Sequence, residues 1–171
     1  CVQCPYHGWQ FDGDGVCQDE QVLVERGSTI DYLATESDPA LGIDWTTLDF
    51  TIDANWESGS YGVGYDTLGH ASGLLDTLVS TSSLSIYTRA EFEIADVAAL
   101  ERVVLGADYD DGYVAWINGV EVYRSPEMPP TGDPTWNSFP SPEHESSNSA
   151  QPVYEPLTDV GGAVLLQDGT N

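Results

Sequence analysis

The chain has no lysine, and its four cations, Arg26, Arg89, Arg102 and Arg124, face 29 aspartates and glutamates. A formal net charge of −25 repels phosphate backbones and anionic headgroups, which excludes nucleic acid as a partner. No apolar run approaches the roughly 20 residues of a membrane span, so no membrane insertion is expected. No Asn-x-Ser/Thr sequon occurs, because Asn55, Asn118, Asn137 and Asn148 all lack Ser or Thr two residues on. A Gly-x-Ser-x-Gly element is absent too, and His7, His70 and His144 show no metal-type spacing. With so many acidic residues any carboxylate pairing is allowed, so a pair by itself says nothing about glycoside hydrolysis. These absences point away from an enzyme. They leave an acidic surface suited to solubility, to divalent cations and to an extracellular or cell-surface setting. The chain opens on Cys1 rather than Met, as expected of a processed form or part of a longer reading frame.

Hydrophobic residues make up 40% of the 171, and five Trp with nine Tyr supply large buried area, so one domain with its own core is expected. The most informative stretch runs from Tyr109 to Arg124. Tyr113, Trp116 and Ile117, then Val120, Val122 and Tyr123, are β-formers on either side of Asn118-Gly119, the strongest short hairpin signal. Asp110-Asp111-Gly112 marks a second turn.

Residues 1–21 read as a separate small unit, a hairpin in which Trp9-Gln10-Phe11 returns through Val16-Cys17. Cys4 and Cys17 can staple it, which on the chain-entropy model contributes roughly 3 kcal/mol. Cys1 is then left over for an intermolecular bond. Val22-Leu23-Val24 and Ile30 to Leu33 form a β-like run broken by Gly27. Residues 34–73 are rich in turns and aromatic anchors, and Ser85 to Ile94 alternates as a half-buried strand. Asp96 caps a short helical turn, and Arg102 to Ala107 is the next strand. Residues 125–157 hold most of the prolines and read as a surface excursion. Ala163 to Gln167 is expected as a closing strand, with a turn over Asp168 to Asn171. Many short strands with turn punctuation imply an all-β fold, a jelly-roll β-sandwich with a short N-terminal hairpin or arm.

Two resemblances sharpen this reading. Phe50-x-x-Asp53-x-x-Trp56-x-x-Gly59 with Gly62-Val63-Gly64-Tyr65 is one motif, and Tyr87-x-Arg89-x-x-Phe92-x-Ile94-x-Asp96 is the next. Asp110-Asp111-Gly112-x-Val114-x-x-Ile117-Asn118-Gly119-x-Glu121-Val122-x-Arg124 and Met128-Pro129 complete the set. In order and spacing, residues 22–171 resemble a galactose-binding-like jelly-roll module of large secreted bacterial proteins, planctomycete-type. Such modules continue past the closing Gly-Thr-Asn into a last hydrophobic strand, which this resemblance implies is missing after Asn171. An incomplete sandwich of that kind exposes an apolar groove and unpaired backbone. Separately, Cys4-Pro5-Tyr6-His7-Gly8-Trp9-x-Phe11-x-x-x-Gly15 resembles the second half of a Rieske iron–sulfur motif. A complete cluster takes two Cys and two His, and the first half, Cys-x-His, is absent.

Candidate sites follow. Asp108, Asp110 and Asp111 can chelate calcium with backbone carbonyls, against the competing role of turn hydrogen bonding. Asp12-Gly13-Asp14-Gly15 lacks the later bidentate Glu of an EF-hand loop. Among the aromatics, Trp136 in the polar Pro-rich loop, with Tyr154, is the candidate carbohydrate platform. The leading expectation is a non-catalytic extracellular structural subunit that self-assembles head-to-tail into a fibril by strand donation. Val22, Leu23 and Val24 or Val164, Leu165 and Leu166 would supply the donated strand. The alternative is a carbohydrate-binding accessory module of a larger secreted protein, and a distant third is a fragment of a Rieske-type redox protein. No cofactor is required by any motif, calcium being the one candidate.

Overall fold

The computed structural model describes residues 21–160 and 165–171, and of residues 1–20 only the backbone of three short strands. Those strands are β1 (Val2–Gln3), β2 (Gln10–Phe11) and β3 (Cys17–Gln18), which pair antiparallel in the order β1-β2-β3. Phe11 lies opposite Cys17, so the N-terminal hairpin forms in the expected register. Cys4 and the side chain of Cys17 lie outside the described residues, as does Val164.

The rest of the chain is all-β. β4 (Thr29–Thr35) is the centre of an antiparallel sheet, flanked by β5 (Glu57–Ser60) and β8 (Ser85–Arg89). Ile30 and Tyr32 bury their side chains from one face of β4, the period-2 signature of a strand with a covered face. β6 (Val63–Gly64) and β7 (Thr77–Leu78) form a short parallel pair. β9 (Glu93–Ile94) pairs with β14 (Gly169–Thr170), and β10 (Val104–Ala107) with β13 (Glu155–Asp159). β11 (Val114–Ile117) and β12 (Val120–Arg124) are the two arms of the expected hairpin. Its turn has Asn118 at φ 50° and Gly119 at φ 84°, the pair of left-handed residues that this turn type demands.

A wedge of aromatic rings joins the β4 sheet to the β11–β12 hairpin. Trp45, in the short 3-10 helix Asp44–Thr46, meets Tyr87 of β8 edge-on at 5.2 Å and Trp116 of β11 at 5.5 Å. Trp56 lies 6.3 Å from Trp45 and is buried. Arg89 holds this loop in place by donating to the carbonyls of Trp45 and Thr47, with its guanidinium 5.5 Å from the Phe50 ring centroid. A second core gathers Ile94, Val97 and Leu166, with Leu23, Phe92, Leu100, Val103, Ile117 and Leu165 packed against it. Asn171 closes that core. Its backbone exchanges two hydrogen bonds with Phe92 (2.9 and 3.1 Å), and Asn118 Nδ2 donates to its side-chain oxygen at 2.9 Å.

Five expectations are corrected here. Val22 to Val24 is not a strand: Val22 is exposed, while Leu23 is drawn onto the second core because its side chain finds apolar partners there. Leu165 to Gln167 is not a strand either, and Leu165 and Leu166 serve the same core. The expected closing turn is instead β14, since Gly169 and Thr170 find ladder partners in Ile94 and Glu93. The strand expected over Ser85 to Ile94 breaks between Arg89 and Glu93, and β8 is covered on both faces because Trp45 and Phe50 lie over Tyr87 and Arg89. The proline-rich excursion also ends early, in β13, with Pro156 tolerated on a strand that pairs on one side among the described residues.

A candidate ligand-binding cleft

The turn residues that follow β10 build a surface that brings aromatic rings and carboxylates together. Both oxygens of the Asp108 carboxylate accept hydrogen bonds from the returning excursion. Ser147 donates through N–H at 2.7 Å and through Oγ at 2.5 Å, and Val153 donates through N–H at 2.9 Å. This latch lays residues 144–154 alongside β10. His144 consequently stacks on Tyr109 at 4.0 Å with 7° between the rings, and its Nδ1 sits 3.1 Å from the Tyr109 carbonyl.

The stack continues inward. Tyr109 lies 4.7 Å from Tyr113, which lies 5.2 Å from Tyr123. Tyr109 donates its hydroxyl to Glu127 at 3.2 Å. Burial, then the neighbouring Glu127 charge, pushes the Tyr109 hydroxyl up to about 12. The Tyr113 hydroxyl is raised as well, chiefly by burial, and it finds no hydrogen-bond partner among the described residues. Asp110 is held above the usual carboxylate range by burial and by the charges of Asp111 and Glu145.

Outward from the stack opens a cleft of about 550 Å³, lined by Tyr109, His144, Tyr154, Glu155, Pro156 and Leu157. A glycine makes it possible. A Cβ on Gly106 would come within 2.8 Å of Leu157 Cδ2 and 3.0 Å of Tyr154 Cβ, so only a bare backbone lets both side chains seat over β10. Tyr154 is 38% exposed and Leu157 71%, leaving their apolar surfaces available to a ligand. Tyr154 also anchors itself, because its hydroxyl accepts from the Arg26 N–H at 3.0 Å. Tyr154 also borders a second hollow of about 480 Å³, lined with it by Glu25, Arg26, Asp76, Gln151 and Pro152.

The expected site residues are thus dispersed. Tyr154 is in the cleft; Trp136 is not. Trp136 is half-buried with its carbonyl accepting from Ser85 Oγ, and the fully presented ring of the excursion is Phe139, 78% exposed. Asp108, Asp110 and Asp111 do not converge on one point: Asp108 is the latch, and Asp111 Oδ1 accepts from His144 N–H at 3.4 Å. Among the described residues no group of three or more His, Cys, Asp or Glu is arranged to hold a metal ion, and no helix is long and apolar enough to cross a membrane. His144 and Gly106 were not singled out from the sequence. Their partners lie 35 and 48 to 51 residues away along the chain, and a lone His or Gly carries no local signal.

The sequence profile of the Rieske [2Fe-2S] domain family matches residues 1–28. No curated protein and no solved structure matches the chain. The matched stretch ends before β4, so the jelly-roll resemblance of the remainder rests on its motif residues. A Rieske cluster takes two Cys and two His. Cys4 and His7 fit one half of that set, but no Cys-x-His pair occurs in the sequence to supply the other. His144 is committed to Tyr109, so it is not a substitute. The residues present therefore do not make a complete cluster site.

Proposed function

We propose that residues 22–171 are a galactose-binding-like jelly-roll module that acts by binding rather than catalysis: a carbohydrate-binding accessory module of a larger extracellular protein. The observation that carries this reading is the open aromatic cleft at Tyr109, His144 and Tyr154. Sugar rings present apolar C–H faces and polar rims, and a half-exposed ring beside a carboxylate complements both. Tyr154 offers the ring, Glu155 an acceptor for sugar hydroxyls, and Leu157 an apolar floor. The match over residues 1–28 supports placing this module directly after a Rieske-type segment. The test is a glycan panel read by intrinsic fluorescence. Saturable quenching that disappears in Tyr154→Ala is the expected result. Failure of every glycan to bind, or quenching indifferent to Tyr154, retires the reading.

A second reading, head-to-tail self-assembly of a structural subunit into a cell-surface fibril, is favoured by the outer edge of β8. Strand residues alternate the direction of their backbone polar groups. Ser85 to Arg89 pair along their whole length with Thr35 to Asp31 of β4, which occupies one side of the strand. Alternate residues of β8 therefore direct their N–H and C=O groups to its outer side, and further along the chain Phe92 is bonded to Asn171. No strand covers that edge among the described residues, and neither proline nor lysine blunts it. Leu23, Leu165 and Leu166, expected on the donated strand, pack on the second core of their own chain. Negative-stain microscopy of the native chain, with its subunit mass, decides the matter. Filaments that vanish in Ala90→Pro support assembly, and discrete particles exclude it.

A further inference from the structure

We infer that the glycan taken by this cleft is positively charged: an oligosaccharide of amino sugars lying across Tyr154, with one unit in each hollow. The inference rests on the carbohydrate reading above and adds the charge and length of the ligand. Two hollows of about 480 and 550 Å³ are both lined by Tyr154, so a ligand longer than one sugar can reach from one to the other past that residue. Each hollow contributes one glutamate, Glu25 on one side and Glu155 on the other. Neither carboxylate makes a hydrogen bond or ion pair among the described residues, and both residues are exposed.

The single cation nearby does not oppose this. Arg26 is clamped by Asp76 through two bonds, Nε to Oδ2 at 2.8 Å and Nη2 to Oδ1 at 2.9 Å, so the pair presents no net charge. Around Tyr109 the balance is acidic as well, with Glu127 on its hydroxyl and Asp110, Asp111 and Glu145 in mutual electrostatic contact. An ammonium group is attracted to the face of a tyrosine ring and to a carboxylate together. An N-acetylated sugar has lost that charge, and a uronic or sialic acid would be repelled. Glucosamine units fit the observed chemistry; neutral galactose uses only the stacking half of it.

The experiment is isothermal titration of the intact chain at about 0.15 M salt, where exposed charges are screened beyond about 8 Å. The probes are a β-1,4-glucosamine tetramer, its fully N-acetylated counterpart, a galactose oligomer and spermine. The expected result is binding of the glucosamine tetramer about tenfold tighter than the acetylated one, with Glu25→Gln and Glu155→Gln each reducing that preference severalfold. Equal affinity for charged and neutral oligomers overturns the charge inference while the carbohydrate reading stands. No binding by any sugar overturns both. Spermine binding as tightly as the tetramer, or a preference untouched by both glutamate variants, overturns the site, since a chain of net charge −25 attracts any polycation.

Discussion

Trp45, Trp56, Tyr87 and Trp116 pack ring against ring between the β4 sheet and the β11–β12 hairpin, and Tyr109, Tyr113, Tyr123 and His144 do the same beside β10. Both clusters bury a polar atom without a hydrogen-bond partner among the described residues, Trp56 Nε1 in one and the Tyr113 hydroxyl in the other. Their surroundings differ. The tryptophan cluster is closed by a loop that Arg89 pins to the sheet. The tyrosine cluster is bordered by carboxylates and opens onto Tyr154 and Leu157, which remain exposed. Aromatic content alone does not separate a core from a binding surface. Closure of the last side does, because a ring stabilises the fold through the area it removes from water, and Tyr154 and Leu157 keep apolar area in water.

The largest test of this contrast is a pair of truncations. Trp56→Ala removes a buried indole and is expected to cost about 3–5 kcal/mol in chemical denaturation. Tyr154→Ala should cost less than about 1 kcal/mol, the usual range for an exposed side chain, while abolishing sugar-dependent quenching. Comparable destabilisation by the two would break the distinction. Next in size is Asn118→Ala. It loses donors to Leu165 O at 2.7 Å and Asn171 Oδ1 and places alanine at a left-handed position, a combined cost of about 2–3 kcal/mol. Asp108→Asn probes the cleft alone. Weakening the latch should cost about 1 kcal/mol and reduce glycan affinity, with the near-ultraviolet signal of the tryptophans unchanged; a shift in that signal would show that the two clusters are coupled.

The smallest effect is on acid stability. The Arg26 and Arg124 guanidiniums, through their hydrogen bonds, hold Asp76 and Glu121 below the usual carboxylate range. A carboxylate whose folded pKa is depressed contributes stability above its unfolded pKa, and that contribution is lost as pH falls through the folded value. Melting temperature should therefore drop between about pH 5 and about pH 3, and Arg26→Gln should flatten part of the slope. Both pairs are partly exposed, so screening keeps the effect modest. A slope unchanged by Arg26→Gln would assign it to other carboxylates.

Much of the β-framework was legible beforehand. Asn118-Gly119 announced its hairpin because both residues tolerate positive φ, and Asp96 announced its short 3-10 helix, accepting from Ala98 N–H at 2.9 Å. Gln10, Phe11 and Cys17 paired as the local pattern suggested. What misled was apolar character without a partner. Leu23, Leu165 and Leu166 read as strand residues, yet they serve a core as irregular segments. Trp136, expected as a platform from its polar neighbours, is half-buried, with Ser85 of a distant strand bonded to its backbone. The cleft itself was legible only at Tyr154, since its other rings come together through Asp108, whose bonds to Ser147 and Val153 span 39 and 45 residues.

By itself the sequence determined the all-β class, the hairpin turns, the cap at Asp96 and the strong negative charge, all of which depend on a residue and its near neighbours. Only the tertiary structure decided which apolar residues are core, which aromatic rings stay open, and that Asp108 is a latch. Those outcomes depend on which surfaces meet across dozens of residues, and local propensity carries no term for that meeting.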